Sequence, residues 1–199
     1  MITIKTNLIA AIAKWAIADV RYDRVMFRAG RILATDGWRI VEVPHETEGH
    51  TWAVPAHALL AAAAAQRVLI ANEDCDEDCA ELLRITDEGV PDSFTIGFRY
   101  TRGVLAERRE FPHELHAKIV GTFDAAKTGK PADGIVLNPR YLADVGEVLE
   151  ATAEGNAGVR IVGWSGYASP TSTGPIIMTS PTGARFAIMP MKDWMKDWP

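Results

Sequence analysis

Cysteine is almost missing from this chain of 199 residues: the only two are Cys75 and Cys79. Two cysteines cannot build a disulfide framework, and their scarcity fits a reducing compartment. Long apolar runs are missing too. The longest candidate, residues 53–65, falls short of the roughly 18 residues that a membrane span needs, and it carries His57. The opening Met1-Ile2-Thr3-Ile4-Lys5 alternates like a strand and has none of the three regions of a signal peptide. The expected location is the cytoplasm. Positive charge is in deficit, with 21 Lys and Arg against 26 Asp and Glu and a formal net charge of −5. Any contact with nucleic acid therefore has to rest on a local basic surface.

Catalytic and metal-binding patterns are equally sparse. The histidines His45, His50, His57, His113 and His116 form no His-Glu-x-x-His pair. Cys75 and Cys79 sit in an acidic run, without the two-residue zinc spacing or a second cysteine pair, and read as a solvated loop. Gly163, Gly166 and Gly174 around Ser165, Ser169 and Ser172 make neither a phosphate loop nor a nucleophile elbow. No metal, cofactor or enzymatic activity is expected.

What is present is core material and repetition. Hydrophobic residues make up 48% and charged residues 24%, the balance of a globular protein with a real core. Three segments share one plan, a short strand leading through a capping residue into an apolar helix. They are Ile2–Asn7 into Leu8–Ala18, Trp52–Pro55 into Ala56–Gln66, and Ile135–Pro139 into Arg140–Ala151. Asn138 reads as an N-cap and Pro139 as the first helical residue, where its missing N–H costs nothing.

After each helix the apolar period shifts from 3.6 towards 2, with hairpin punctuation. The first unit continues with strands at Arg24–Arg28, Ile32–Thr35 and Arg39–Val43, separated by the turns Ala29-Gly30 and Asp36-Gly37. The second continues with Val68–Ala71, Glu81–Thr86, Ser93–Tyr100 and Val104–Phe111. The third continues with Val159–Val162, Pro175–Thr179 and Arg185–Pro190. The unit is β-α-β-β-β, which predicts an α+β architecture of antiparallel sheets with helices on one face. A surplus segment holds one more expected helix, His113–Ala126, and a polar linker at 127–133. The expected domain boundary falls near Phe111–Pro112, giving a first domain over 1–112 and a trimmed second one over 113–199.

Four stretches carry a resemblance: Asp19-Val20-Arg21-Tyr22, Leu33 to Ile40 with its Ala-Thr-Asp-Gly-Trp-Arg core, Glu110-Phe111-Pro112, and Phe186 to Met191 with its terminal Met-Pro-Met. In this order and on these elements they resemble the bacterial DNA sliding clamp, the beta subunit of DNA polymerase III. That family is built from β-α-β-β-β half-domains closed into a ring with its helices towards the DNA. The resemblance spans something like the middle domain and the second half of the last domain; the first domain has no counterpart here.

The resemblance implies a non-enzymatic processivity or docking factor that binds short peptide motifs of polymerases and repair proteins. It implies a homo-oligomer that encircles double-stranded DNA without reading its sequence; the alternative is a non-ring adaptor or decoy of phage or mobile-element type. Carried over by motif, the peptide pocket is Thr35, Gly37, Trp38, Arg39 and Ile40 from the first hairpin. Pro112, His116 and Ala117 join from the following segment, and Ala187, Met189, Pro190 and Met191 from the last strand. Methionine adapts to varied apolar partners, and Arg39 has donors for a peptide carbonyl or a glutamine oxygen. Trp38 stands where the family usually has His, and His116 where it usually has Arg. Lys14, Arg67, Lys118 and Arg140 are the DNA-facing candidates, a thin basic lining that an oligomer would multiply. Trp194 and Trp198, four apart in the tail, would share a helical face and suit docking.

Overall fold

The computed structural model describes residues 1–16, 21–72, 82–87, 92–98, 101–127, 137–152, 158–165 and 174–190. Cys75, Cys79, linker residues 128–133, Met191, Trp194 and Trp198 lie outside them.

The first unit runs β1 (Ile2–Lys5), α1 (Thr6–Ala13), β2 (Arg24–Arg28), β3 (Arg31–Thr35) and β4 (Arg39–Pro44). The second runs β5 (Trp52–Pro55), α2 (Ala56–Asn72), β6 (Leu82–Thr86), β7 (Ser93–Phe98) and β8 (Thr101–Glu107). Then come α3 (His113–Asp124), the short β9 (Ala126–Lys127), α4 (Pro139–Thr152), β10 (Arg160–Ser165), β11 (Ile176–Thr179) and β12 (Arg185–Ile188). The backbone N–H of Arg140 donates to Asn138 Oδ1 at 3.0 Å, and α4 begins at Pro139, so the cap and first helical residue stand where the sequence puts them. Ala29 and Gly30 both have positive φ, 51° and 74°, the paired signs that a two-residue hairpin turn needs to match strand twist.

All strand pairs are antiparallel, in two sheets. The first two units exchange their leading strands. β1 crosses to β6, giving the four-stranded order β1-β6-β7-β8, while β5 crosses to β2. The third unit adds to the first through β12, which lies along β4 with Arg185 opposite Glu42 and Ile188 opposite Arg39. This makes one sheet of eight strands, β5-β2-β3-β4-β12-β11-β10-β9.

Strand alternation sorts the side chains into two apolar layers. Val25, Phe27, Ile32, Ala34, Val41, Val43, Phe186 and Ile188 face α1, α2 and α4 and form the main core. Met26, Leu33, Ala53, Ile177 and Ala187 point the other way and are covered by Phe111 and by Ile119 and Phe123 of α3. Three helices thus lie on one face, as expected, and α3 lies on the opposite face of the large sheet.

Two expectations are corrected. Val68–Ala71 is the last turn of α2 and not a strand. The alanine run before it favours helix, nothing in Gln66–Ala71 breaks it, and buried Gln66 accepts a hydrogen bond from Thr6 that holds the helix against α1. The first helix ends at Ala13, short of the expected Ala18. Tighter turns follow, Trp15 N–H to Ile12 O at 2.9 Å, and bring the fully buried Trp15 ring to 5.7 Å from Phe186.

Candidate functional site

The β3–β4 turn is built from its own polar side chains. Asp36 Oδ1 accepts from the N–H of Trp38 at 2.9 Å and of Arg39 at 3.0 Å. Thr35 Oγ1 donates to the Arg39 carbonyl at 2.7 Å and accepts from Gly37 N–H at 3.0 Å. Gly37 has φ +90°, and a Cβ there would stand 3.0 Å from the Tyr22 ring. The turn therefore presents Trp38, 64% exposed, at the end of β4. Met189 N–H donates to the Trp38 carbonyl at 2.8 Å, which carries the β4–β12 ladder one residue beyond the strands.

On the outer face of that joint Ile40 stands directly across from Ala187. Both belong to the layer under α3, whose Leu115, Ile119 and Phe123 repeat every fourth residue on one side. At its edge lies Glu42, with no exposed surface, accepting hydrogen bonds from Arg185 Nε at 2.7 Å and Nη2 at 2.8 Å and from Arg31. The Arg185 guanidinium lies 4.6 Å over the Phe123 ring, so the end of α3 covers one side of this ion pair. At the start of α3, the Phe111 ring packs 5.0 Å from His113 and 5.4 Å from His116, with Arg28 over it at 5.3 Å. Burial, with the Arg28 charge next, lowers the His116 pKa below the ordinary histidine value, against an opposing pull from Glu42.

Beside this layer an open cleft of about 570 Å³ is walled by Tyr22, Phe111, Pro112 and Leu115. Arg21, Arg24 and Lys118 stand along it, with Glu110, His113 and Glu114 also at the rim. It is apolar between charged groups of both signs, a shape suited to an extended segment with apolar anchors.

The structure brings Thr35, Gly37, Trp38, Ile40, Ala187 and Met189 together at the β4–β12 joint. Pro112 lines the outer cleft instead, His116 packs against Phe111, and Pro190 follows Met189. Ala117 is exposed on α3. Arg39 is the exception. Alternation along β4 sends it to the helix side, where it is 3% exposed. There its Nε bonds Asp36 at 2.9 Å, its Nη2 bonds the Lys14 carbonyl at 3.0 Å, and a further N–H bonds Asp144 of α4. Trp15 and Tyr141 flank the guanidinium, each at 4.7 Å. Its donors hold α1, the hairpin and α4 together, and the peptide role expected for it is withdrawn.

The DNA-facing candidates also separate. Lys14 and Arg140 line a second cleft of about 750 Å³ on the helix side, among Asp23, Asp144 and Glu147, and Lys14 is ion-paired to Glu147. Arg67 is exposed on α2. Lys118 lies on α3, hence on the opposite face, which removes it from any lining of the helix side. Among the described residues no three His, Cys, Asp or Glu side chains are placed to hold a metal ion, and no helix is long and apolar enough to cross a membrane. Tyr22 and Phe111, which wall the outer cleft, were absent from the sequence-derived site. Their signal was their place in the Asp19–Tyr22 and Glu110–Pro112 stretches.

Neither a protein-family model nor a curated protein sequence matches the chain. Solved structures do. The DNA polymerase III beta subunit of Thermotoga maritima is similar at TM-score 0.52 and 16% identity, over 95% of this chain and 64% of that one. A DNA polymerase sliding clamp from Pseudomonas aeruginosa gives TM-score 0.50 and 15% identity, over 95% and 65%. The PCNA of A. fulgidus, with the C-terminal region of FEN-1 bound to it, gives TM-score 0.51 and 11% identity, over 96% of this chain and 97% of that one. This chain thus spans less than two thirds of the two bacterial clamps. The antiparallel sheets with α1, α2 and α4 on one face accord with these matches: the chain has the fold of the DNA sliding clamps.

Proposed function

We propose that this protein is a clamp-type docking factor. It binds a short extended segment of a replication or repair protein in the outer cleft beside the β4–β12 joint. The observation that carries the reading is the cleft itself. In a sliding-clamp fold, aromatic walls from Tyr22 and Phe111, rimmed by Arg21, Arg24 and Lys118 beside Glu110 and Glu114, stand next to the exposed turn of the first hairpin. The A. fulgidus PCNA of similar fold is bound to a segment of another protein, which supports a peptide as the occupant.

The helix side favours docking over encirclement of DNA. Lys14, Arg67 and Arg140 there are matched by Asp144, Glu147 and Glu150, and a phosphate-tracking surface needs a cationic excess. Encirclement by an oligomer is the second reading, supported by the match over nearly the whole PCNA chain.

The test is fluorescence anisotropy with labelled peptides carrying two adjacent apolar anchors. Saturable binding is expected, weakened about tenfold or more by Tyr22→Ala through loss of a pocket wall. Binding unchanged by Tyr22→Ala would exclude this cleft. Retention on closed circular DNA that is lost on linearisation would establish the second reading.

A further inference from the structure

Residues 191–199, outside the described residues, read Met-Lys-Asp-Trp-Met-Lys-Asp-Trp-Pro. The tripeptide Lys-Asp-Trp occurs twice there, so two of the six tryptophans of the chain fall at 194 and 198. Covering one such ring buries about 150–250 Å² of largely apolar surface. We propose that this segment occupies the outer cleft of its own chain, with Trp194 and Trp198 as its anchors, and holds the docking site closed until a partner segment displaces it. The proposal rests on the reading of that cleft as a peptide site and names what competes for it.

The segment leaves the described fold beside this cleft. Met189 N–H donates to the Trp38 carbonyl at 2.8 Å. Gly37 precedes Trp38, and a Cβ on it would stand 3.0 Å from the ring of Tyr22, which walls the cleft. Joined through ordinary bond lengths, these contacts put the Tyr22 ring within about 14 Å of the Met189 nitrogen. Extended chain spans about 3.3 Å per residue, so Trp194 reaches about 16 Å beyond Met189 and Trp198 about 30 Å. Both anchors have the length to enter. Strand alternation also fixes the side. Ala187 belongs to the layer under α3, so Met189, two residues on and still on the β4 ladder, lies on that outer face.

The chemistry of the two surfaces matches. The cleft offers the rings of Tyr22 and Phe111 with Pro112 and Leu115, between charged groups of both signs. The segment offers two aromatic anchors, each preceded by one Lys and one Asp, so its carboxylates meet cations and its ammonium groups meet carboxylates along the same rim. Exposed pairs of this kind set register more than affinity, and the rings supply the binding. Tethering does the rest. A link this short holds the anchors at an effective concentration on the order of millimolar. A contact with a dissociation constant of about 100 μM is then closed about ten to one, and an outside peptide binds about tenfold more weakly.

Fluorescence anisotropy on the full chain tests this, with the labelled apolar-anchor peptides and a labelled peptide of residues 191–199. Trp194→Ala with Trp198→Ala is expected to bind the outside peptides about tenfold more tightly than the unaltered chain. The 191–199 peptide, added to that variant, is expected to bind saturably and to be weakened about tenfold or more by a further Tyr22→Ala. Circular dichroism checks the fold of each variant. Outside peptides that bind both chains equally, yet are weakened by Tyr22→Ala, overturn the proposal and leave the docking reading standing. Binding of the 191–199 peptide that ignores Tyr22→Ala also overturns it. If only the 191–199 peptide binds, through Tyr22, the docking reading fails and the seat of the segment stands. Sedimentation velocity reads the remaining arm: a doubled mass lost with the two tryptophans would seat the segment in a second copy and overturn closure within one chain.

Discussion

Strands β4 and β8 come from the same point of a repeated unit, yet one lies in the middle of an eight-stranded sheet and the other at the edge of a four-stranded one. Around β4 the joint is stapled on both faces. Arg39 ties the hairpin to Asp144 of α4 on the helix side, and Glu42 ties to Arg185 of β12 on the outer side. Around β8 the corresponding outward residue is an exposed leucine. The repeat decides that a strand forms; one or two side chains on it decide what lies next to it. Charge at these positions selects a single partner, because a buried unpaired carboxylate is costly.

The sharpest way to break the comparison is to remove the helix-side staple. Arg39→Met leaves Asp36 and Asp144 without their shared buried cation and is expected to cost about 3–5 kcal/mol of stability by urea unfolding. A loss under about 1 kcal/mol would mean that packing alone holds the joint. Next comes the open strand. A Cβ on Gly103 would stand 2.1 Å from the Ile96 carbonyl oxygen, so Gly103→Ala must push β8 from β7. About 1–3 kcal/mol of stability is expected to be lost, as read by urea unfolding.

The smallest effect concerns the cover of α3. His116 is held below the ordinary histidine value mainly by burial, so it is neutral in the fold near neutral pH. A lowered folded pKa favours folding above the unfolded value. That contribution is lost as pH falls below about 6.5 and through the folded pKa, where protonation favours the unfolded chain. Burial lowers His45 as well, in the same direction. Thermal midpoints are therefore expected to drop on acidification, and His116→Gln is expected to flatten part of that slope. A slope unchanged in this variant would assign the whole effect to other groups.

Legibility in the sequence follows the range of the forces involved. The Asn138-Pro139 helix start and the Ala29-Gly30 and Asp36-Gly37 turns are local and were readable, because caps and turn glycines act within a few residues. The helix over His113–Ala126 was readable too, ending two residues early at Asp124. Val68–Ala71 was misread because β-branched and apolar residues suit either state, and the bond from Thr6 to Gln66, sixty residues apart, decides for helix. Of the motif residues, Ile40 and Ala187 face each other across the β4–β12 joint and Pro112 lines the outer cleft. Arg39 does not join them, because its direction depends on strand alternation and on an acidic residue more than a hundred positions away.

By itself the sequence determined the repeated unit, its turns and caps, and the alternation that gives each strand a core side, since all of these are encoded by neighbours along the chain. Tertiary structure decided the exchange of leading strands, the union of β4 with β12, the seat of α3 on the outer face and the burial of Arg39 among carboxylates. Those outcomes depend on which surfaces meet once the units have formed. Only there do desolvation and charge pairing act between residues that are distant along the chain.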